Sequence, residues 1–235
     1  MLNFVLLQVS SPVTEGVDSA VQAAQQEGIV TRFFDLAIKG GVLMIPILLL
    51  SLIAVFIFID RYLAIKKAGK VDGSLLDRVK DYIMQGKIDA ALTLARSQDT
   101  PTARMIEKGI SRIGRPMADV NSAIEMVGNL EISKLEKGLP VMASVAGGAP
   151  MIGFLGTVVG MVQAFYDMAN AGANIDVTLL SSGIYQAMVT TVAGLTVGII
   201  AYFGYNILVA AVEKVVFKME AATSEFMDLL NEPAK

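Results

Sequence analysis

Three blocks of the chain run with almost no polar interruption: Gly41–Ile59, Gly138–Tyr166 and Val177–Val212. None contains Asp, Glu, Lys, Arg or His. Each reaches the roughly 18 apolar residues a helix needs to cross the hydrocarbon core of a bilayer. Backbone N–H and C=O groups find no water at that depth, so such blocks fold as helices. The pattern predicts an all-α integral membrane protein with three transmembrane helices. The third block is 36 residues long, and at ~1.5 Å per residue it outruns a core of ~30 Å. The second and third spans are therefore expected to continue as long helical extensions beyond the membrane, shielded by other helices or other subunits. Pro46 lies near the outer end of the first span, where a kink can be tolerated.

Between the first two spans the apolar positions fall on a helical period. Ser74 with Asp77 reads as a capping box opening a helix with Leu75, Leu76, Val79, Tyr82 and Ile83 on one side. A second helix aligns Ile88, Leu92 and Ala95, and a third has Pro101 just inside its start with Met105, Ile106 and Ile110 in register. From Asp119 onward Ile124, Val127, Leu130 and Leu135 run toward the second span without a strong breaker. Acids and bases are nearly balanced here and are expected to face outward, as on a solvated bundle. Residues 13–27 repeat Val13, Val17, Ala20, Val21 and Ala24, which fits a helix on the membrane surface or a loosely ordered extension.

Basic residues set the orientation. Arg61, Lys66, Lys67 and Lys70 follow the first span, Lys134 and Lys137 precede the second, and Lys214 and Lys218 follow the third. The turn between the second and third spans has no Lys or Arg and holds Asp167 and Asp176. The positive-inside rule puts residues 64–137 and the C-terminus in the cytoplasm and the N-terminus outside. Arg32 and Lys39 beside Asp35 make the N-terminal segment less decisive. The resulting map is an N-terminal outer or interfacial segment (1–38), the first transmembrane helix (39–63), a cytoplasmic helical region (64–137), the second transmembrane helix with its extension (138–170), an outer turn (171–177), the third transmembrane helix with a cytoplasmic extension (178–212) and a cytoplasmic tail (213–235).

Composition narrows the chemistry. The chain is 54% hydrophobic and 17% charged, against roughly 25% charged in soluble domains. It has no cysteine and no histidine, which excludes disulfides, Cys-ligated zinc, imidazole bases and haem histidines. No metal, cofactor or nucleic acid is expected, and an enzymatic role is not expected. The start "MLNFVLLQVSSPV" lacks a basic n-region and reads as a poor signal peptide, and "GGAPMIGFLG" lacks the lysine of a phosphate-binding loop.

The spans nevertheless carry polar groups. Thr178, Ser182, Gln186 and Thr190 step by four along one face of the third, and the second offers Thr157 and Gln163. Such strips should face protein or water rather than lipid. Two readings stay open: hydrogen bonding between helices, worth about 0.6 kcal/mol per bond, and the lining of a polar pathway. Gly153, Gly156 and Gly160 in the second span, and Gly194 and Gly198 in the third, together with Gly183 and Ala187, suit close backbone approach. Gly147, Gly148 and Pro150 lie in the same region. Because the second and third spans hold no ionisable group, any proton that crosses here needs a titrating group from another polypeptide.

"LEKGLPVMASVAGGAPMIGFLGTVVGMVQAF" (135–165) resembles the signature of the MotA/TolQ/ExbB proton-channel family, closest to ExbB. "GIYQAMVTTVAGLTVGI" (183–199) resembles the third-span motif of ExbB and TolQ, and "FIDRYL" (58–63), with Asp60 and Arg61 at the membrane interface, resembles their first-span ending. The resemblance covers roughly residues 40–215. It implies a homo-pentameric ring in the bacterial inner membrane, in contact with its lipids. Spans two and three then line a lumen holding the single transmembrane helices of two ExbD-like subunits. A partner aspartate carries the protons, the ring and partner pair rotate relative to each other, and force passes to a TonB-like protein that energises outer-membrane transport. TolQ relatives serve the Tol–Pal envelope system instead. By resemblance, Thr157 and Thr191 face the partner carboxylate, whereas Gln186 stands where many relatives carry glutamate. Positions 186 and 191 lie about 140° apart around a helix, so one narrow strip cannot hold both. A non-conducting scaffold and a membrane enzyme are the alternatives from other classes, and sodium coupling stays open.

Overall fold

A computed structural model of the chain describes residues 40–70, 74–170 and 177–231, the side chains of residues 74 and 177–179 excepted. The stripe at 13–27 and the outer turn lie outside the described residues. Seven helices follow one another: α1 (Met44–Ala68), α2 (Ser74–Met84), α3 (Ile88–Ser97), α4 (Pro101–Ile110), α5 (Met117–Glu136), α6 (Leu139–Asn170) and α7 (Val177–Asn231). Among the described residues there is no strand. Three stretches are long and apolar enough to cross a membrane: Met44–Ala68, Met117–Asn170 and Leu180–Asn231.

Several helix ends depart from the sequence pattern for local reasons. Pro46 is the third residue of α1, where its missing N–H would have had no partner within the helix; the kink considered for it is not required. The run from α5 into the second span is broken at Lys137 and Gly138, and Gly138 takes φ 88°. That left-handed conformation, open to glycine without penalty, ends one helix before Leu139 starts the next. No such break interrupts α7, which passes straight through residue 212 and continues to Asn231.

By contacts the chain divides into two units, the described part of Met1–Pro46 with Ile152–Ala193, and Ile47–Met151 with Gly194–Lys235. The second unit contains a continuous apolar core. Leu208, Val212, Val215, Met219 and Phe226 of α7 bury against Ile106 and Ile110 of α4, Val120 and Ile124 of α5, and Leu75 and Val79 of α2. On α3 the innermost positions are Ala91 and Ala95, with Ile88 and Leu92 packed at the edge. Leu130 departs from the predicted face and is 58% exposed. Phe226 is fully buried, and Gly109 is what admits it, since a Cβ there would lie 2.5 Å from the phenyl ring. Pro150, inside α6, cannot bond the carbonyl of Ala146. A Cβ at Gly198 would lie 2.4 Å from the Pro150 ring and 3.0 Å from that carbonyl oxygen, so the glycine makes room for both. Gly194 is buried as well. A Cβ on Gly147 or Gly148 would meet nothing within 4 Å among the described residues, so neither glycine is required by packing there.

The expectation that the charged residues of this region all face outward fails at Glu131, whose side chain is 5% exposed. It accepts hydrogen bonds from Arg104 at 2.6 Å and Lys134 at 2.7 Å. Arg104 also donates to Asp99, which in turn pairs with Lys67 near the end of α1. Arg61 pairs with Asp60 and donates to the backbone carbonyl of Lys134 at 3.3 Å. This network ties the end of α1 to α4 and α5. Burial pushes the Glu131 carboxyl up, but its bonds to Arg104 and Lys134 outweigh that and hold it below its ordinary 4.5. The Asp99 carboxyl is likewise lowered by its hydrogen bonds from Lys67 and Arg104. Lys218 of α7 donates to the carbonyl of Gly69, satisfying a backbone acceptor just past the end of α1.

Candidate functional site

In the first unit α6 and α7 meet through their smallest residues. Gly156 faces Thr190, and a Cβ at 156 would lie 2.5 Å from the threonine methyl. Gly160 faces Ala187 at 2.9 Å, and Gly183 faces Ala164 at 2.6 Å by the same measure. No larger residue fits these positions without displacing a neighbour. Gly156, Gly160 and Gly183 thus sit where the two helices come closest.

This close approach brings hydroxyl groups to backbone carbonyls. Thr191 donates across the helices to the carbonyl of Gly153 at 2.9 Å. Thr190 is 1% exposed, and its hydroxyl lies 2.8 Å from the carbonyl of Gln186 and 3.2 Å from that of Gly40. Thr157 is half-buried and donates to the carbonyl of Phe154 in its own helix at 2.6 Å. A donating hydroxyl keeps its oxygen lone pairs, so Thr157 and Thr191 can both still accept a hydrogen bond.

The strip that steps by four holds together at three of its four positions. Ser182, Gln186 and Thr190 line one cavity of about 270 Å³, with Gly40, Val42 and Leu43, and with Gln163 and Asp167 of α6. The side chain of Thr178 lies outside the described residues. Gln163 donates to the Asp167 carboxylate at 2.8 Å. Thr157 and Thr191 do not line this cavity, in keeping with the angular separation of positions 186 and 191. Asp60 and Arg61 belong to the other unit.

Sequence reasoning missed the contribution of Gly40 and Gly41. Gly41 has φ 71°, and the amide nitrogen of Gln186 lies only 2.0 Å from where its Cβ would be. Gln186 thus packs its amide on a glycine 145 residues earlier in the chain. A Gly-Gly pair just before an apolar run is the one local signal that marks a tight turn here. Among the described residues no three His, Cys, Asp or Glu side chains form a group able to hold a metal.

Membrane-length helices joined through glycine and threonine define a multi-span membrane protein whose closest α6–α7 contacts hold no ionisable group, while Asp167 lines the neighbouring cavity. The profile of the MotA/TolQ/ExbB proton channel family matches residues 97–221, and the chain belongs to that family. It is 29% identical over 194 residues to a putative biopolymer transport protein ExbB-like 1 of Synechocystis, covering 76% of this chain and 71% of the relative. A putative ExbB homolog of Methanothermobacter thermautotrophicus is 26% identical over 81% of this chain and 69% of its own length. The Tol-Pal system protein TolQ of Haemophilus influenzae is 29% identical over 86% of this chain and 95% of its own length. The chain is thus a membrane subunit of the ExbB/TolQ proton-channel type, within a family of transport subunits that work in membrane-protein complexes rather than a family of enzymes.

Proposed function

We propose that the chain is an ExbB-like subunit of an inner-membrane motor that uses the proton motive force to energise outer-membrane transport. Five copies form a ring with the N-terminus in the periplasm and the α2–α5 region and the end of α7 in the cytoplasm. Two ExbD-like single-span subunits stand in the lumen, and a TonB-like protein carries the force outward. The observation that carries this reading is the Thr191 to Gly153 bond between helices that hold no ionisable group along their contact. It fixes a hydroxyl whose lone pairs can bond a protonated partner carboxyl. Thr157 offers a second acceptor. A fixed charge in this wall would trap that carboxyl in one state, whereas hydroxyls bond the protonated form and release it on ionisation.

Tagged protein extracted gently from its own cells should appear in native mass spectrometry as a closed ring retaining a small single-span protein with one membrane aspartate. A ring empty in several mild detergents would favour a non-conducting scaffold. Replacing both Thr157→Val and Thr191→Val should abolish energised uptake at normal expression, and unchanged uptake refutes the proton-path role. The match to a TolQ over 95% of its length favours a second reading within the same mechanism, service to the Tol–Pal system. Deletion separates the clients: loss of iron-complex uptake in one case, envelope leakage and division defects in the other.

A further inference from the structure

A cavity of about 270 Å³ lies beside Gln186. Gln163, Asp167, Ser182 and Gln186 are all exposed on the chain surface there. Their neighbours on the same helices are exposed apolar residues, Val162 at 64% and Met188 at 62% among them. Polar side chains in such a setting are unfavourable against lipid and require water or protein. Here they converge on a single space, roomy enough for several waters. Its innermost polar groups are the buried Thr190 hydroxyl and the Gly40 carbonyl. Asp167 lies near the C-terminal end of α6 and Ser182 in the second turn of α7.

The chemistry of the lining selects for charge and type. Among the described lining residues Asp167 is the only charged one. The other polar groups of the lining are neutral, the side-chain amides of Gln163 and Gln186 and the hydroxyls of Ser182 and Thr190, beside apolar Val42, Leu43 and Val159. Hard oxygens around a single carboxylate suit a hydrated monovalent cation, and fall short of the multiple carboxylates that hold calcium. A glutamate at position 186 would add a second negative charge to the same space; the amide keeps the total at one.

We infer that this cavity is a water-filled, cation-attracting vestibule in which Asp167, with Gln163 and Gln186, holds a hydrated monovalent cation, either hydronium or an alkali ion. The inference rests on the proposed orientation for the side from which it fills, but not for its existence. The chain has no cysteine, so Ser182→Cys and Gln186→Cys each introduce a unique thiol into the intact complex in native membranes. Membrane-impermeant cationic and anionic thiosulfonates of matched size are applied from the outer face of spheroplasts and, separately, to inverted vesicles. Both cysteines should react, the cationic reagent faster by about ten-fold because a unit charge acts at short range through a partly aqueous medium. Asp167→Asn should bring the ratio near one, and Asp167→Glu should keep it. A Met188→Cys control, on the apolar face, should react far more slowly with either reagent.

Modification from neither side, or a ratio insensitive to Asp167→Asn, overturns the vestibule. Charge-selective modification in inverted vesicles alone supports the vestibule and overturns the orientation. Protection by sodium or potassium against choline, at constant ionic strength, identifies an alkali ion. Protection by acid, after normalising to the Met188→Cys thiol, identifies hydronium. Protection by neither overturns the bound cation.

Discussion

Where α6 and α7 pair between residues 152 and 193, the groups in closest contact are glycines, alanines and two threonines, whereas beyond residue 212, past the uncharged run, α7 buries Val215, Met219 and Phe226. The two regions lie on the same helix and obey different physics. Lipid tails are as apolar as leucine, so helices in a bilayer gain little by hiding large side chains from them. They associate through close backbone contact and hydrogen bonds instead. In water, removal of apolar area is the main driving force, and bulky residues supply it. The contrast extends to charge. The bundle tolerates a buried Glu131 because Arg104 and Lys134 satisfy it, while the glycine–threonine seam holds no ionisable group at all.

Five substitutions, two of them combined in one double variant, test this contrast. Phe226→Ala removes the largest fully buried side chain of the bundle and should lower stability by about 3–5 kcal/mol. Thermal melts in detergent should show it, with early protease cleavage in the C-terminal half of α7 while the 152–193 pairing survives. A melt that shifts by less than a degree would mean that this core contributes little.

Glu131→Gln removes the carboxylate that Arg104 and Lys134 share, Arg104 keeping Asp99, and should cost about 1.5–3 kcal/mol at neutral pH, the worth of hydrogen bonds to a charged group. Its pH dependence gives a sharper test. Glu131 and Asp99 titrate below their ordinary 4.5 and 3.8 when folded. Their stabilisation is therefore fully present above those values and is lost as pH falls through the lowered ones. The melting difference between wild type and Glu131→Gln should hold steady from pH 7 down to about 4.5 and close below it. A difference that widens in acid contradicts the assignment.

Gly156→Ala puts a methyl 2.5 Å from the Thr190 methyl and should cost about 1–3 kcal/mol through overpacking. Because Thr190→Ser removes that methyl but leaves the Cβ 2.8 Å from the added group, the double variant should recover part of the loss, a coupling a double-mutant cycle measures. Failure of the rescue would place the strain elsewhere. Thr191→Val, which loses only the bond to Gly153, should cost about 0.6 kcal/mol and is the smallest effect, although in an energised uptake assay its consequence should exceed its effect on stability.

Much of this architecture can be read from residues near one another in the chain. Uncharged runs at 41–59, 138–166 and 177–212 mark the spans, because solvation of the backbone and of charge is decided residue by residue. The register of Leu75, Val79, Met105, Ile106, Ile110 and Ile124 follows from helical period alone, and glycines four apart announce the seam. Other features are invisible at that range. Glu131 looks like any solvated acid until Arg104, 27 residues away, is folded against it. Gly138 looks like one more small residue in a glycine-rich stretch, yet its positive φ separates two helices that the apolar pattern runs together.

The sequence by itself determined the class of this protein: its membrane spans, its helical bundle, its family and the absence of a titrating group along the paired spans. These depend on composition and period, which local chemistry enforces. Only the tertiary structure decided what the polar residues of the third span do. It set Thr190 against Gly40, 150 residues away, directed Thr191 to Gly153, and gathered Ser182 and Gln186 with Asp167 around one cavity. A polar side chain within a span must find a partner or water, but which one it finds is fixed by the helices packed against it, and that is a property of the folded chain.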